Sequence, residues 1–571
     1  MTSYPTPTAR PAPAVRAGTA GLVAVGISVA CTFAVAVAGP SVMEPALPGR
    51  PGQPPWSLGL NPSPYLAIGL TAAALAAGAL GLVLALRAVR RGWSVPARAV
   101  LIAGLLAAAA LTLVPPFGSS DHLSYAAYGR MLVTGHNPYT TTPAQLAALG
   151  DPVARAVQDW RGAPSVYGPL ATAIQALASL AGGTSVRLTV FVLGLANLAA
   201  FAATALLLHR MTRRDPARQR RAALLWAANP LLLQVLVAGA HVDGQAVAFG
   251  VAAVAVMSPV LSRAMPRARA ATRVATRAAT QAATWAAGGA GSRPLTRAAI
   301  AGVLIGLGFA VKITIALTGL GLALALGYGS WRRNRPRPGL WASLTALGAG
   351  FAVTAGAALA IGGSAMLQQT SQASGMVSIG SPWRVIRSVI HLAVKGTAAT
   401  DIVKAGAVAL AVVLAVLLIR GLAGGAELDR GAELDGGPDP GRYASIAFAL
   451  ALAWLFAWPY VLPWYDALGW ALLPLVPLAG DGIAEGLGWL LLARTTALGF
   501  GYLPARQTGA PLPSGLGWLQ PVIRHGITPA ILAGATVWLV VLMVRSRRAG
   551  WRDPSGTGGA ADSRAAAAKA T

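Results

Sequence analysis

A single cysteine, Cys31, stands among 571 residues. One thiol excludes an intramolecular disulfide and a cysteine-based metal site, and its apolar setting reads as a small residue within a helix. Charge is also scarce. Asp, Glu, Lys and Arg make up 11% of the chain, where a soluble globular protein carries about a quarter. That deficit leaves most of the chain without a water-facing surface, which a bilayer explains and aqueous folding does not. Acidic residues are rarest, 17 against 45 Lys and Arg, giving a net charge of +28. The excess does not argue for nucleic acid, because the basic residues form short clusters between apolar runs rather than one stripe. Such clusters mark cytoplasmic loops, since Lys and Arg resist translocation and face anionic head groups. There is no internal repeat and no stretch with the composition of a soluble domain.

What the chain has in abundance is apolar sequence, 55% of its residues. Candidate spans fall at 19–39, 65–86, 98–115, 187–208, 221–238, 244–262, 298–311, 313–328, 340–362, 403–420, 443–458, 464–480, 484–503 and 527–545. A shorter run at 167–181 reads as re-entrant or interfacial. Arg10 and Arg16 precede the first run as in a secretory signal, but the many runs that follow favour an uncleaved first span. The expected fold is all-α: a polytopic transmembrane bundle of about 14 spans with outer-face loops and interfacial helices. Ala and Gly dominate the spans, which lets helices approach closely. The expected organisation is a disordered cytoplasmic tail at 1–16, a membrane domain at 17–548 and a second disordered cytoplasmic tail at 549–571.

Sidedness follows from the basic loops alone. Placing 87–98, 210–221, 263–297, 332–337 and 545–552 in the cytoplasm puts both termini there too. The segments 40–64, 117–166, 239–243, the turn at Lys312, 363–402, 459–463 and 504–526 then lie outside, and they hold most of the unusual polar and aromatic residues. The basic Ala-Thr-Arg tract at 263–297 reads as an amphipathic helix on the inner leaflet or a disordered connector. The segment 421–442 reads as a flexible loop.

The stretch 118–139, GSSDHLSYAAYGRMLVTGHNPY, is the richest in chemistry. Asp121, Tyr125 and Tyr128 share one helical face, placing a carboxylate against the membrane surface. The same spacing also fits Asp121 as an N-cap, with Ser119 and Ser120 as competitors. His136, Asn137 and Tyr139 follow in a turn, then Tyr167 in a second one. Asn229 and Pro230 interrupt a span whose outer end carries His241 and Asp243. Lys312 sits alone between two apolar runs, where it needs a partner or must snorkel. Arg384 and Arg387 run against the positive-inside trend, which favours phosphate binding. Trp458 to Asp466, WPYVLPWYD, supplies aromatic faces of the kind that stack on sugar rings or form an interfacial belt. A metal site would draw on His241, Asp243, His122 and His136, but the spacing is weak and no metal is expected. The many spans and the broken helix also fit a transporter or flippase, against which stand the missing repeat and the clustering of polar groups toward one face.

The runs SSDHLSYAAYGRMLVTGHNPY, VYGPL, NPLLLQVLVAGAHVDG, GFAVKI and LPWYDALGWALLPL, in that order over about 100–480, resemble the polyprenol-phosphate-mannose-dependent α-1,6-mannosyltransferases of actinobacterial cell envelopes. These belong to the GT-C glycosyltransferase superfamily. The resemblance implies a membrane enzyme taking mannose from polyprenyl-phosphate-mannose to a mannan glycolipid acceptor, toward lipomannan. It implies no cofactor, with membrane lipids and the two substrates as partners. Asp121 matches the position of the superfamily's proposed general base. Many relatives have two adjacent acids there, whereas this chain has two serines before Asp121, so Asp243 or Asp159 would supply any second carboxylate. The expected roles that follow are donor-phosphate binding by Lys312, Arg384, Arg387 and His241. Sugar or acceptor contacts fall to Tyr125, Tyr128, Asn137, Tyr139, Tyr167, Asp243, Trp464 and Tyr465. A polyprenyl-phosphate-arabinose donor is the alternative within the same chemistry.

Overall fold

The computed structural model describes residues 13–258, 292–333, 339–394, 396–424, 440–477, 482–504 and 512–551. Regular structure among these residues is helical throughout; the one extended pairing is an isolated bridge between Ser41 and Glu44. In chain order the helices are α1 (Pro13–Ala38), α2 (Pro64–Arg90), α3 (Ala97–Thr112), α4 (Asp121–Val133), α5 (Pro143–Ala148), α6 (Pro152–Arg155), α7 (Pro169–Gly182), α8 (Val186–Met211), α9 (Pro216–Ala238) and α10 (Asp243–Met257). They continue with α11 (Ser292–Phe309), α12 (Ala316–Arg333), α13 (Leu340–Ser374), α14 (Pro382–Ala393), α15 (Ala398–Gly424), α16 (Pro440–Ala457), α17 (Ala467–Leu472), α18 (Ile483–Gly501) and α19 (Thr528–Trp551). Among the described residues seven helical segments are long and apolar enough to cross a membrane, alongside shorter apolar helices. The chain is a polytopic helical membrane protein.

Local chemistry sets the helix starts. Proline occupies the first turn of α2, α7, α9 and α14, where its missing N–H costs nothing. Ser63, Ser185 and Ser381 cap α2, α8 and α14 through their hydroxyls. Small residues set the packing. A Cβ on Gly21 would lie 2.7 Å from the Ala85 backbone nitrogen, so α1 and α2 touch backbone to backbone. Gly129 does the same for α4, where a Cβ would meet the Gln175 carbonyl at 2.1 Å and push α4 off α7.

Several expectations need correction. The run at 464–480 is not one helix. It is a 3-10 turn at Pro463–Asp466, the short α17 and a second 3-10 turn at Leu473–Leu475, buried among other helices except for half-buried Tyr465. Pro463 and Pro474 remove backbone donors, so a regular ladder cannot run through. The segment follows the α16 C-terminus and ends where Arg218 and Arg221 donate to the carbonyls of Leu475 and Leu473, at 2.9 and 3.3 Å. The expected tail at 1–16 is helical from Pro13, and the helix α19 reaches into the expected tail at 549–571. The expected helix or connector at 263–297 and the loop at 421–442 lie largely outside the described residues.

The break at Asn229 is real. The Asn229 amide donates to the Leu225 carbonyl at 3.1 Å, and its side-chain oxygen accepts from Leu231 and Leu232. One buried side chain thus satisfies the groups that Pro230 leaves free. Helix α13 is kinked at Gly363, which has a φ of 66° that other residues rarely adopt. Beyond that kink its last turns carry Gln369 and Gln372 over the site described next.

Candidate active site

The candidate site is built where α3 ends. The Phe117 and Gly118 amides donate to the carbonyls of Ala238 and Met43, at 3.0 and 2.7 Å, which pins the turn before α4 to two other elements. Helix α4 then opens on Asp121. Ser120 occupies the cap position without a capping hydrogen bond from its side chain, and the Asp121 amide donates to the Ser119 hydroxyl. The Asp121 carboxylate is therefore not a cap. It turns inward, where the Trp160 indole donates to Oδ1 at 3.2 Å and His241 Nδ1 lies 3.6 Å from Oδ2. Trp160 has a φ of 62°, a strained conformation for a bulky side chain and one that recurs at functional sites.

Electrostatics follow from this enclosure. Desolvation pushes the Asp121 carboxyl up to about 6, against the Trp160 hydrogen bond and the Lys312 charge, which pull it down. His241 is 1% exposed and lies flat on Trp464, with ring centroids 3.5 Å apart and planes at 14°. Burial first, and then the Lys312 charge, hold its imidazole neutral. The contact with Asp121 is thus dipolar rather than an ion pair. Tyr125 O–H lies 3.5 Å from the same ring nitrogen and accepts from Tyr167 O–H at 3.3 Å.

Two cavities meet at Asp121. The larger, about 430 Å³, is walled by Tyr125, Tyr128, Tyr167, Lys312, Trp454 and Tyr465, under Gln369 and Gln372. The smaller, about 370 Å³, is walled by Ser119, Ser120, Asp159, Tyr502 and Arg524. Asp121, Trp160 and Tyr460 line both. A carboxylate with a raised pKa between two aromatic-walled chambers can take a proton from a hydroxyl in either. Lys312 Nζ sits 2.6 Å from Asp243 Oδ1 and 3.9 Å above the centre of the Tyr465 ring. Its charge is compensated within the protein.

The first half of the chain answers to a known family. Residues 17–328 match the family model described as alpha-(1->6)-mannopyranosyltransferase, N-terminal domain. The chain belongs to that family. The matched span includes Asp121, Trp160, His241, Asp243 and Lys312. Among curated relatives, alpha-(1->6)-mannopyranosyltransferase B of Corynebacterium glutamicum is 30% identical over 134 residues, 23% of this chain and 22% of that protein. An alpha-(1->6)-mannopyranosyltransferase of Mycobacterium tuberculosis is 33% identical over 132 residues, 23% of this chain and 22% of its own. A probable one of Mycolicibacterium smegmatis is 34% identical over 133 residues, 23% of this chain and 24% of its own. The matched stretches thus span less than a quarter of each relative. No solved structure matches the chain.

The remaining residues singled out in the sequence of this family member divide clearly. Tyr125, Tyr128, Tyr167 and Tyr465 reach the larger cavity, and Trp464 supports His241 from behind. Asp243 serves Lys312. Tyr139 is buried with its hydroxyl 3.2 Å from that of Thr172, and Asn137 closes the turn before it by accepting from the Tyr139 amide. Neither lines the two cavities. Nor do Arg384 and Arg387, which sit on α14, a helix with no fully buried residue and with Val385, Val389 and Leu392 exposed. His241 lies behind Asp121 rather than in either large cavity. His122, fully buried and pushed down to about 3 by desolvation, faces neither. Among the described residues no three His, Cys, Asp or Glu side chains converge as metal ligands would. Spacing did not reveal Trp160, Tyr502 and Arg524, which come from a turn, a helix end and a π-helix, whereas Tyr460 lies within the aromatic run Trp458 to Asp466.

Proposed function

We propose that this protein is a membrane mannosyltransferase. It moves mannose from polyprenyl-phosphate-mannose to an α-1,6-mannan glycolipid at the extracytoplasmic face. The observation that carries this reading is Asp121 itself: one carboxylate, raised in pKa, at the junction of two chambers large enough for two sugar-bearing substrates. Membership of the alpha-(1->6)-mannopyranosyltransferase family supports mannose as the transferred sugar. The basic residues support the sidedness. Arg90 pairs with Glu485, and Arg218 and Arg221 cap Leu475 and Leu473, at the end of the bundle opposite Asp121.

The reaction is a single inverting displacement, because the family's donor carries β-mannose and its product is α-linked. The acceptor 6-hydroxyl attacks the anomeric carbon as the bond from that carbon to the phosphate oxygen breaks. The hydroxyl proton passes to Asp121, and the electron pair of the broken bond leaves on the phosphate. A base with a pKa of about 6 is mostly ionised at neutral pH yet more basic than an ordinary carboxylate. Tyr125, Tyr128, Tyr167 and Tyr465 offer aromatic faces to the acceptor sugar. Membrane vesicles given labelled polyprenyl-phosphate-mannose should extend an α-1,6-mannan with the donor on the extracytoplasmic side only. Transfer from polyprenyl-phosphate-arabinose instead, or from the cytoplasmic side, would refute this assignment.

The pH profile is a second test. Asp121 must be ionised to accept a proton, so kcat should fall as pH drops through about 6. The Trp160 indole stabilises the ionised form. Trp160→Phe should therefore move the acid limb to higher pH, and a limb that stayed put would separate Trp160 from the base.

A further inference from the structure

We propose that Arg524 binds the phosphate of the lipid-linked donor in the smaller cavity, which leaves the larger cavity to the acceptor. This inference rests on the transferase reading and gives each chamber a substrate. Arg524 is only 4% exposed and lines the smaller cavity. Its Nε donates to the Gly501 carbonyl at 2.5 Å, its guanidinium lies 5.4 Å from the centre of the Tyr502 ring, and its Nη2 is buried with no partner. Among the described residues no carboxylate pairs with it. A guanidinium in this state is expensive to bury. An anion arriving in the cavity supplies the missing partner, and a phosphate fits the planar fork of donors. Lys312, the other cation at the site, is already neutralised by Asp243.

The local backbone points the same way. Leu519–Ile527 winds as a π-helix, a form that concentrates at functional sites. It turns Arg524 inward while Val522 and Ile527 stay exposed, at 46% and 45%. An isoprenoid tail can therefore lie on the apolar outside while its phosphate reaches in. Displacement also needs the attacking and leaving oxygens on opposite sides of the anomeric carbon. With the phosphate at Arg524 and the acceptor in the larger cavity, the transferred sugar lies across the junction beside Asp121 and Trp160.

The test uses the full chain in nanodiscs, with farnesyl phosphate as the probe and tryptophan fluorescence as the readout. Arg524→Gln should weaken farnesyl phosphate binding about tenfold or more, the scale of one lost charge-assisted contact, and should leave farnesol binding unchanged. Wild-type affinity in that variant would overturn the proposal. So would a loss seen with Lys312→Ala and not with Arg524→Gln, which reverses the two chambers while leaving the transferase reading intact. Inorganic phosphate displacing the probe at equal concentration would make the site one for free phosphate and not for a lipid. If the wild-type chain held farnesol as tightly as farnesyl phosphate, the transferase reading itself would fall. A measurement on the unaltered chain guards against misfolding of the variant. Farnesyl phosphate should shield Arg524 from phenylglyoxal, read by peptide mass spectrometry, and modification at the unprotected rate would refute the contact.

Discussion

Asp121→Asn is expected to lower mannose transfer by at least ~100-fold, the scale of losing a general base. The amide keeps the size of the carboxylate and can still accept from the Trp160 indole, but it cannot take a proton. Folding should not suffer. Ser120, not Asp121, holds the cap position of α4, and the turn before it is fixed by the Phe117 and Gly118 amides. Expression and membrane insertion should match wild type, and the acid limb near pH 6 should vanish from whatever activity remains. Near-normal transfer in membranes carrying Asp121→Asn would remove that residue from the role.

The second large effect is on stability. Asp466 and Arg494 are both buried, with Nε of Arg494 3.4 Å from Oδ1 of Asp466. The Thr495 hydroxyl donates to the same carboxylate at 2.7 Å and accepts from the Trp470 indole at 3.0 Å. This network ties the broken segment 463–475 to α18. Arg494→Ala strands a buried carboxylate and should cost about 3–5 kcal/mol, measured as a lower denaturation midpoint in detergent. Replacing both partners with leucine should recover most of that loss, since two apolar side chains need no counter-ion. A double variant no better than the single one would show that the pair matters for something other than charge. Trp464 and Tyr465 adjoin Asp466, so the same variant should disturb the backing of His241 and the ring beneath Lys312.

Much of this was legible in the sequence, for physical reasons. The bilayer left its mark in composition, and Asp121, Tyr125 and Tyr128 announced a shared face because one helix carries all three at helical spacing. Lys312 was visibly in need of a partner, yet nothing local named Asp243, which lies on another helix. Arg384 and Arg387 stood out as cations in an outer loop, but counting charges does not say which way a surface helix turns them. Trp160, Tyr502 and Arg524 were silent. They come from a strained turn, a helix end and a π-helix, none of which leaves a periodic trace. The run at 464–480 had the hydropathy of a span, but hydropathy does not separate a helix facing lipid from a broken one enclosed by protein.

Helix α13 has 35 residues, about 52 Å at the usual rise, against a hydrocarbon core of about 30 Å. The bend at Gly363 takes up the surplus, so the ceiling of the larger chamber is the overhang of a membrane-crossing rod. Thinner or thicker lipid tilts such rods by different amounts. The height of Gln369 and Gln372 above the larger chamber is therefore set partly by the surrounding lipid, and under the proposed transferase reading acyl-chain length becomes a control on the room that chamber offers an acceptor.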